Sequence, residues 1–257
     1  MVNIVERNNI FKNRQKLVVP GYTETISNES YYITPYLGGL PANVVPENQS
    51  NYDIIIKPQA YYVEQPPNSK VPAHYHDTNQ FQVFFDGEII FGKKLIDSLA
   101  VHYANGHTPY GPLVTTNKYS HYLTLRNKWD SGGKTMPDSR KTLKKIKRKF
   151  YLFDNLGINT KNNVNCHNTI KKTIFVDDKD GLNISLFSLG PHSEYIIKSS
   201  DISYGAYVVI LNGELFCLNT KLNSKSCIYL EPSLDDIKFN TENLHSLFLI
   251  LKFPNEV

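Results

Sequence analysis

Residues 71–88 read VPAHYHDTNQFQVFFDGE and combine a pair of histidines with a strand-like run that ends in Asp86-Gly87. In an extended chain, side chains at i and i+2 point to the same face, so His74 and His76 direct two imidazoles into one volume. A first-row metal ion needs such ligands. A pair of surface histidines is the alternative. The proline before the strand and the hairpin signal after it favour a metal site. Gln80 lies on the same face of the strand as the two histidines if alternation continues.

An internal repeat appears when the sequence is aligned with itself at an offset of 126 residues. Residues 82–88 (QVFFDGE) then align with residues 208–214 (VVILNGE), and residues 120–126 (SHYLTLR) align with residues 246–252 (SLFLILK). Each match is an apolar strand pattern, and the first is closed by an Asx-Gly hairpin signal. Two matches at one offset, with no gap between them, predict a duplicated β domain.

The second copy lacks the polar residues of the first. At the same offset, His74, His76, Gln80, His102 and His121 correspond to Ser200, Ile202, Ala206, Ile228 and Leu247. Every candidate metal ligand is replaced by a small or apolar residue. We therefore expect the second half to be a structural copy without a metal, and any chemistry to belong to the first half.

The chain resembles the cupin superfamily in its first sequence motif, here His74, His76, Gln80 and Gly87. The family usually has glutamate where this chain has Gln80, and a neutral amide is a weaker ligand for a divalent ion than a carboxylate. Pro109-Tyr110-Gly111 resembles the Pro-x-Gly turn of the second motif, but Val114 stands where the family places its last histidine. A further ligand would therefore have to come from elsewhere in the chain.

Two histidines could supply that ligand. His102 lies between Ala100 and Ala104 on one face of a strand, where small residues leave room for a metal or a substrate. His121 shares its face with Leu123 and Leu125, so it could equally be a core histidine. We predict a metal site formed by His74, His76, Gln80 and His102, with the choice between His102 and His121 left open.

The repeat and the resemblance together predict an all-β protein with two tandem cupin-like barrels (double-stranded β-helix or jelly-roll) joined by a short helical linker. We expect an N-terminal extension over residues 1–50 that packs on the barrels, and a first, metal-binding barrel over residues 51–133. A basic helical linker over residues 134–155 then leads to a second barrel without metal over residues 156–257. The 17 tyrosines and 13 phenylalanines fit this reading, because strands favour aromatic residues.

The predicted linker carries most of the positive charge. The formal net charge is +4, yet residues 134–149 hold eight Lys or Arg and one Asp, so the rest of the chain is acidic. Leu143, Ile146 and Phe150 are spaced i, i+3, i+7 and predict an apolar stripe on a basic helix packed on a barrel. An anionic partner is the alternative. Nucleic-acid binding is not expected, because a nucleic-acid-binding fold would spread such charge over a groove or a face.

The resemblance implies a metal-dependent enzyme that acts on a small organic molecule, in the first place a dioxygenase or other oxygenase, with isomerases and lyases also in consideration. Iron is the first metal that we consider, and Mn, Ni, Cu and Zn are alternatives. Tyr103 and Tyr110 are candidate catalytic residues, because a phenol near a metal can have a lowered pKa. The second hypothesis is a non-catalytic bicupin that binds a metal or a small ligand for sensing, storage or scaffolding.

Three further features bear on location and assembly. The sequence has no run of eighteen or more apolar residues and no apolar signal core in residues 1–13, so no membrane span is expected. Cys166, Cys217 and Cys227 are an odd number without Cys-x-x-Cys spacing, which favours reduced thiols and a cytoplasmic location. The outer apolar face of cupin-like sheets and the aromatic pair Tyr31-Tyr32 predict a homodimer.

Overall fold

The computed structural model describes residues 2–18, 24–25, 29–41, 45–46, 58–154, 156, 169–232 and 235–255. They divide into two compact units, Asn13–Leu156 and a second unit made of Met1–Lys12 and Gly157–Val257. The strand pairings within both units are antiparallel. The all-β prediction with two barrels is therefore confirmed.

The regular elements are mostly strands. The strands are β1 (Val2–Val5), β2 (Gln15–Val18), β3 (Glu24–Thr25), β4 (Tyr31–Leu37), β5 (Val45–Pro46), β6 (Gln59–Gln65), β7 (Ser69–Val71), β8 (His74–Tyr75), β9 (Gln80–Phe91), β10 (Lys94–Ile96), β11 (Ala100–Ala104), β12 (Leu113–Arg126), β13 (Lys134–Thr135), β14 (Phe150–Asp154), β15 (Ile170–Asp177), β16 (Leu182–Leu189), β17 (Glu194–Ile197), β18 (Ala206–Cys217), β19 (Thr220–Asn223), β20 (Cys227–Leu230), β21 (Ile237–Asn240) and β22 (Ser246–Lys252). The helices are α1 (Arg7–Ile10) and the 3-10 helices Phe11–Asn13, Asp138–Thr142 and Ser199–Asp201. None of these described helices is long and apolar enough to cross a membrane.

The first unit is built around its two longest strands, β9 and β12. Its main sheet has the strand order β14-β11-β9-β12-β6-β4-β2-β5, and β10, β7 and β3 pair beside this path. Strand alternation directs Gln80, Gln82 and Phe84 into the barrel. The alternate residues Phe81 and Val83 are also fully buried, on the opposite face of β9.

The second unit has the strand order β1-β20-β18-β22-β16-β15, with β17, β19 and β21 beside it. Its first strand comes from the N-terminus, because Val2 pairs with Leu230 and Val5 with Cys227. The predicted N-terminal extension is thus divided: β1 belongs to the second unit, and β2 and β4 belong to the sheet of the first. The predicted boundary at residues 50–51 lies outside the described residues.

The two barrels repeat each other at the predicted offset. The strands β9 and β18 are both twelve residues long and have the same burial at every position. The register also repeats, because Ser120 pairs with Gly87 and Ser246 pairs with Gly213. The duplication read from the sequence is confirmed.

The predicted hairpin turns at Gly87 and Gly213 are not formed. Both glycines lie inside a long strand. Their φ angles are +89° and +77°, and a Cβ on either would lie 1.8 Å from the carbonyl oxygen of Tyr119 or His245. The register shifts beside each glycine, which is the behaviour of a β-bulge. The Asx-Gly signal therefore marks a bulge, and the turn that follows β9 lies at Gly92.

The predicted basic helix is shorter than expected. A 3-10 helix covers Asp138–Thr142, residues 143–149 have no regular structure, and Phe150 begins β14, which pairs with β11. The apolar stripe of Leu143, Ile146 and Phe150 is therefore not formed on a helix. Closely spaced lysines and arginines repel one another along a helix, and the pairing of β14 removes the last turn. The segment predicted as a linker, residues 134–155, belongs to the first compact unit.

Candidate functional site

The first barrel contains a cavity of about 560 Å³, a volume that includes its opening to solvent. Apolar and tyrosine side chains form much of its wall, and polar side chains from β8, β9 and β12 form the rest. The lining residues are Leu17, Tyr31, Ile33, Pro41, Tyr61, Val63, Val71, His74, His76, Gln80, Gln82, Tyr110, Leu113, Tyr122, Thr124 and Gly133. Four of the predicted site residues, His74, His76, Gln80 and Tyr110, are thus brought to one cavity.

Gln80, Tyr110 and His74 form a chain of hydrogen bonds with one consistent direction. The Gln80 amide Nε2 donates to the Tyr110 hydroxyl oxygen at 2.6 Å. The Tyr110 hydroxyl lies 3.1 Å from His74 Nε2, and His74 Nδ1 lies 2.7 Å from the backbone oxygen of Pro72. Because a carbonyl only accepts, Nδ1 carries the proton and Nε2 accepts from Tyr110. The Tyr110 oxygen therefore accepts from Gln80, and the Tyr110 proton is directed at His74 Nε2.

His76 is held by a carboxylate on one side and a guanidinium on the other. Its Nδ1 lies 2.7 Å from Asp130 Oδ1 and donates to that carboxylate. Arg126 Nη2 lies 3.1 Å from Nε2 and 3.2 Å from Nδ1, so the guanidinium packs against the face of the ring. The backbone N–H groups of Asp77 and Gly132 also donate to Asp130. These bonds fix both the tautomer and the orientation of His76.

Arg126 is fully buried at the end of β12, where it pairs directly with Gln80 on one side and Gln59 on the other. Its Nη2 donates to Gln80 Oε1 and its Nη1 donates to Gln59 Oε1. Burial lowers the pKa of Arg126, but the neighbouring Tyr61 and the Asp130 carboxylate raise it, so the net shift is upward. A permanent positive charge therefore lies beside two of the four predicted metal ligands.

His102 occupies a different environment from the other two histidines. It is fully buried on β11, its Nδ1 lies 2.9 Å from Gln82 Oε1, and it is not among the described residues that line the cavity. Its ring packs against Phe91, Tyr110 and Phe150 at centroid distances of 4.6, 4.8 and 5.0 Å. Its Nε2 is buried without a hydrogen-bond partner in the described structure. His102 thus lies behind Tyr110, packed among aromatic rings.

All three histidines are neutral at pH 7. Burial, with the charge of His76 next, lowers the pKa of His74 to about 3. Burial and the Arg126 charge lower the pKa of His76 to about 4, although Asp130 opposes that shift. Burial, with His74 and His76 as lesser causes, lowers the pKa of His102 to about 3. Burial also raises the pKa of Tyr110, so this phenol stays protonated.

Tyr103 and His121 lie away from this group. Strand alternation places Tyr103 on the face of β11 opposite His102, where its ring packs against Phe81 at 4.9 Å. That position does not favour Tyr103 as a catalytic residue. His121 is partly exposed and is hydrogen-bonded to Asp86, so it does not reach the cavity group. Between the two histidines left open by the sequence, only His102 packs against Tyr110.

The residues present do not fit a divalent metal ion in this arrangement. Gln80 Oε1 accepts from Arg126, and the Arg126 guanidinium lies against the His76 ring. His74 Nε2 faces the Tyr110 hydroxyl, and His102 is packed behind that ring. Within the part of the chain that the structure describes, no group of three or more His, Cys, Asp or Glu side chains could hold a metal ion. The predicted metal site stays a prediction that this geometry does not favour.

Arg126 and Asp130 are the site residues that the sequence reasoning missed. A signal for Arg126 was present, because Tyr122, Thr124 and Arg126 alternate along β12 and share the inward face. A charged residue at an inward position requires a partner. Asp130 follows β12 in irregular structure, so no strand pattern predicts its contact with His76.

Comparison with known proteins gives the fold. No protein-family model and no curated protein sequence matches the chain. Among solved structures, a candidate dioxygenase from Nostoc punctiforme PCC 73102 has a TM-score of 0.61 at 14% identity, with 98% of this chain and 82% of that chain covered. The pirin YhhW from Escherichia coli, in complex with nickel(II), has a TM-score of 0.54 at 7% identity over the full length of both chains.

A third structure, the quercetin 2,3-dioxygenase from Acinetobacter baumannii, has a TM-score of 0.51 at 14% identity and covers 96% of this chain and 81% of that chain. The chain thus has the cupin fold, in the duplicated form called a bicupin. Identities of 7% to 14% establish this fold alone.

Proposed function

We propose that this protein is a bicupin that binds a small organic molecule in the cavity of its first barrel. The observation that carries the proposal is the hydrogen-bonded group of Gln80, Tyr110 and His74 in the wall of an otherwise largely apolar cavity. Small-molecule sites are typically concave, with a few fixed polar groups among apolar and aromatic side chains. The polar groups would orient the ligand, and the aromatic wall would bury its carbon skeleton.

The second barrel supports this assignment by contrast. Its interior positions are filled by Ile202, Ala206, Val208 and Ile228, all buried. None of these side chains can donate or accept a hydrogen bond. A smaller cavity of about 280 Å³ in the second unit is lined by polar side chains that include Lys171, Asp201 and Lys252, so the contrast between the barrels concerns these four interior positions.

A thermal-shift screen with small organic molecules tests the proposal. The wild-type protein should be stabilised by a subset of them. The matched variant Gln82→Val/His102→Ile/Thr124→Ile carries the residues that the second barrel has at the same positions, Val208, Ile228 and Ile250. It removes His102 together with its partner Gln82, so it should keep its fold and lose the response. If the hits stabilise this variant as much as the wild type, the ligand does not bind in the first cavity.

A metal-dependent oxygenase is the second candidate function. The Nδ1 bonds of His74, His76 and His102 favour it, because histidines that bind metals usually donate their other ring N–H to a carboxylate or carbonyl. Two of the similar structures are a dioxygenase and a nickel-bound pirin. Iron remains the first metal to test, with Mn, Ni, Cu and Zn as alternatives. This function requires Arg126 to leave His76 and Gln80, so it is ranked second.

Oxygen consumption separates the two candidates. Protein purified without a histidine tag and incubated anaerobically with Fe²⁺ should bind the ion, and should consume dioxygen with a hit from the ligand screen, if it is an oxygenase. A ligand-binding bicupin should bind the same hits with or without a chelator and consume no dioxygen.

Assembly as a homodimer and a cytoplasmic location stay predictions. Light scattering at micromolar concentration should return twice the chain mass of 29.4 kDa for a dimer.

A further inference from the structure

We infer that Arg126 takes the place of a metal ion in the first barrel. Its Nη2 group donates to Gln80 Oε1 and lies 3.1 and 3.2 Å from the two ring nitrogens of His76, so its charge lies beside two of the side chains that the cupin motif of this chain would offer to a metal. A guanidinium cation at this position supplies positive charge beside His76 and Gln80 without a metal. The inference concerns the cavity of the proposed function but is tested by metal binding, and so it can fail separately from ligand binding.

The position of Arg126 follows from the strand register. Gln59 on β6, Arg126 on β12 and Gln80 on β9 are direct neighbours across three strands. The guanidinium therefore lies within reach of an amide oxygen on either side, and it donates to both. Both amides are themselves buried, so the arginine is held by groups that solvent does not displace.

Charge balance supports the substitution of arginine for a metal. The Asp130 carboxylate is 2% exposed and lies on the other side of His76, so one buried anion accompanies one buried cation. A divalent ion at His76 and Gln80 would add two positive charges beside Arg126 in a medium of low dielectric constant, where like charges repel strongly. A buried charge must be paired, and the Asp130 carboxylate is the anion that raises the pKa of Arg126 here.

Gln80 in place of the usual glutamate fits the same account. Its Oε1 accepts from Arg126 while its Nε2 donates to the Tyr110 oxygen, which leaves the Tyr110 proton for His74. A carboxylate has no proton to donate to Tyr110. The amide therefore joins the arginine to the Tyr110–His74 pair, and the neutral residue that weakens a metal site is required by this network.

Metal binding by four proteins tests the inference: the wild type, Gln80→Glu, Gln80→Glu/Arg126→Gln, and the matched control Lys252→Gln. Lys252 occupies in the second barrel the position that Arg126 occupies in the first, since it pairs with Ala206 as Arg126 pairs with Gln80. Each protein is purified without a histidine tag, analysed for metal content and titrated with Co²⁺.

The wild type, Gln80→Glu and Lys252→Gln should contain substoichiometric metal, because Arg126 is present in all three. The double variant should bind one equivalent of Co²⁺ at least about tenfold more tightly than the wild type. Adding His74→Ala to the double variant should abolish this gain. If the double variant does not fold, Arg126→Gln alone should still bind Co²⁺ more tightly than the wild type.

Two results would overturn the inference. One is wild-type protein that carries a stoichiometric transition metal and rebinds it after chelation. The other is a folded variant without Arg126 that binds Co²⁺ no more tightly than the wild type.

Discussion

The two barrels of this chain share a backbone and differ in what fills it. The strands Gln80–Phe91 and Ala206–Cys217 have the same length, the same burial at each position and a bulge at the same glycine. Their inward side chains nevertheless differ: Gln80 and Gln82 in the first barrel stand where Ala206 and Val208 stand in the second. Backbone geometry was thus kept across the duplication while the interior chemistry was not.

The basic residue at the end of the last long strand shows this difference most clearly. Arg126 is fully buried and bonded on both sides to amide oxygens. Lys252, at the equivalent position, pairs with Ala206, which offers no side-chain acceptor, and its ammonium lies 4.0 Å from the partly exposed Asp201. The first barrel therefore needs a buried counter-charge, whereas the second relies partly on solvent.

Acid should destabilise the first barrel more than any single substitution. The pKa values of His74, His76 and His102 are lowered to about 3 or 4 in the folded state, so the unfolded chain binds more protons between about pH 6.5 and pH 4. Stability is therefore full above pH 6.5 and falls as the pH decreases. From pH 7 to pH 5 we expect a loss of about 1 to 2 kcal/mol for each histidine.

Fluorescence of Trp129, the single tryptophan of the chain, reports on the first barrel, so urea unfolding followed at this residue measures the loss. Hydrogen exchange of amides in β18 and β22 gives the matched value for the second barrel, where the equivalent positions carry no histidine. A pH profile that is the same for both barrels would contradict the account.

Removing Asp130 should cost about 3 to 5 kcal/mol, because Asp130→Ala removes the carboxylate that accepts from His76 and that stabilises the buried Arg126 charge. The matched variant Asp201→Ala removes the carboxylate near Lys252, which is partly solvated, and should cost less than about 1 kcal/mol. Both values come from urea unfolding. Equal losses would mean that the two basic residues do not differ in the way we describe.

The two glycines should behave alike. Gly87→Ala and Gly213→Ala each place a Cβ against a backbone carbonyl at a positive φ, and each should cost about 2 to 3 kcal/mol in its own barrel. The two barrels share this bulge. A large loss of unfolding free energy at one position with none at the other would therefore contradict their structural equivalence.

Tyr110→Phe should produce the smallest change in stability among the first-barrel variants, about 1 to 2 kcal/mol, because Gln80 and His74 each lose a hydrogen-bond partner. It should also weaken binding of any ligand found in the screen. Tyr103→Phe, on the other face of the sheet, is the control and should leave ligand binding unchanged. Calorimetric titration with one hit measures ligand binding by both variants. A stronger effect of Tyr103→Phe would mean that the ligand binds on the opposite face of the sheet.

The sequence predicts the fold well and the site only in part. Alternation and the gapless repeat are local signals, so they predict the inward direction of His74, His76 and Gln80 and the apolar interior of the second barrel. The same alternation places Tyr103 on the face opposite His102, so strand periodicity alone argues against Tyr103 as a catalytic residue. The His76–Asp130 contact joins residues 54 positions apart through irregular chain, where no periodicity applies. An Asx-Gly pair occurs both in hairpin turns and in β-bulges, so the pair at Asp86-Gly87 does not by itself distinguish the two.

A crystal structure of the protein soaked with organic molecules from the screen tests the central claim most directly. The account predicts density for a bound molecule in the first barrel, in contact with Gln82, Thr124 or Tyr110, with Arg126 still bonded to His76 and Gln80. Density for these molecules only in the second barrel, or a metal ion between His74 and His76 with Arg126 displaced, would contradict it.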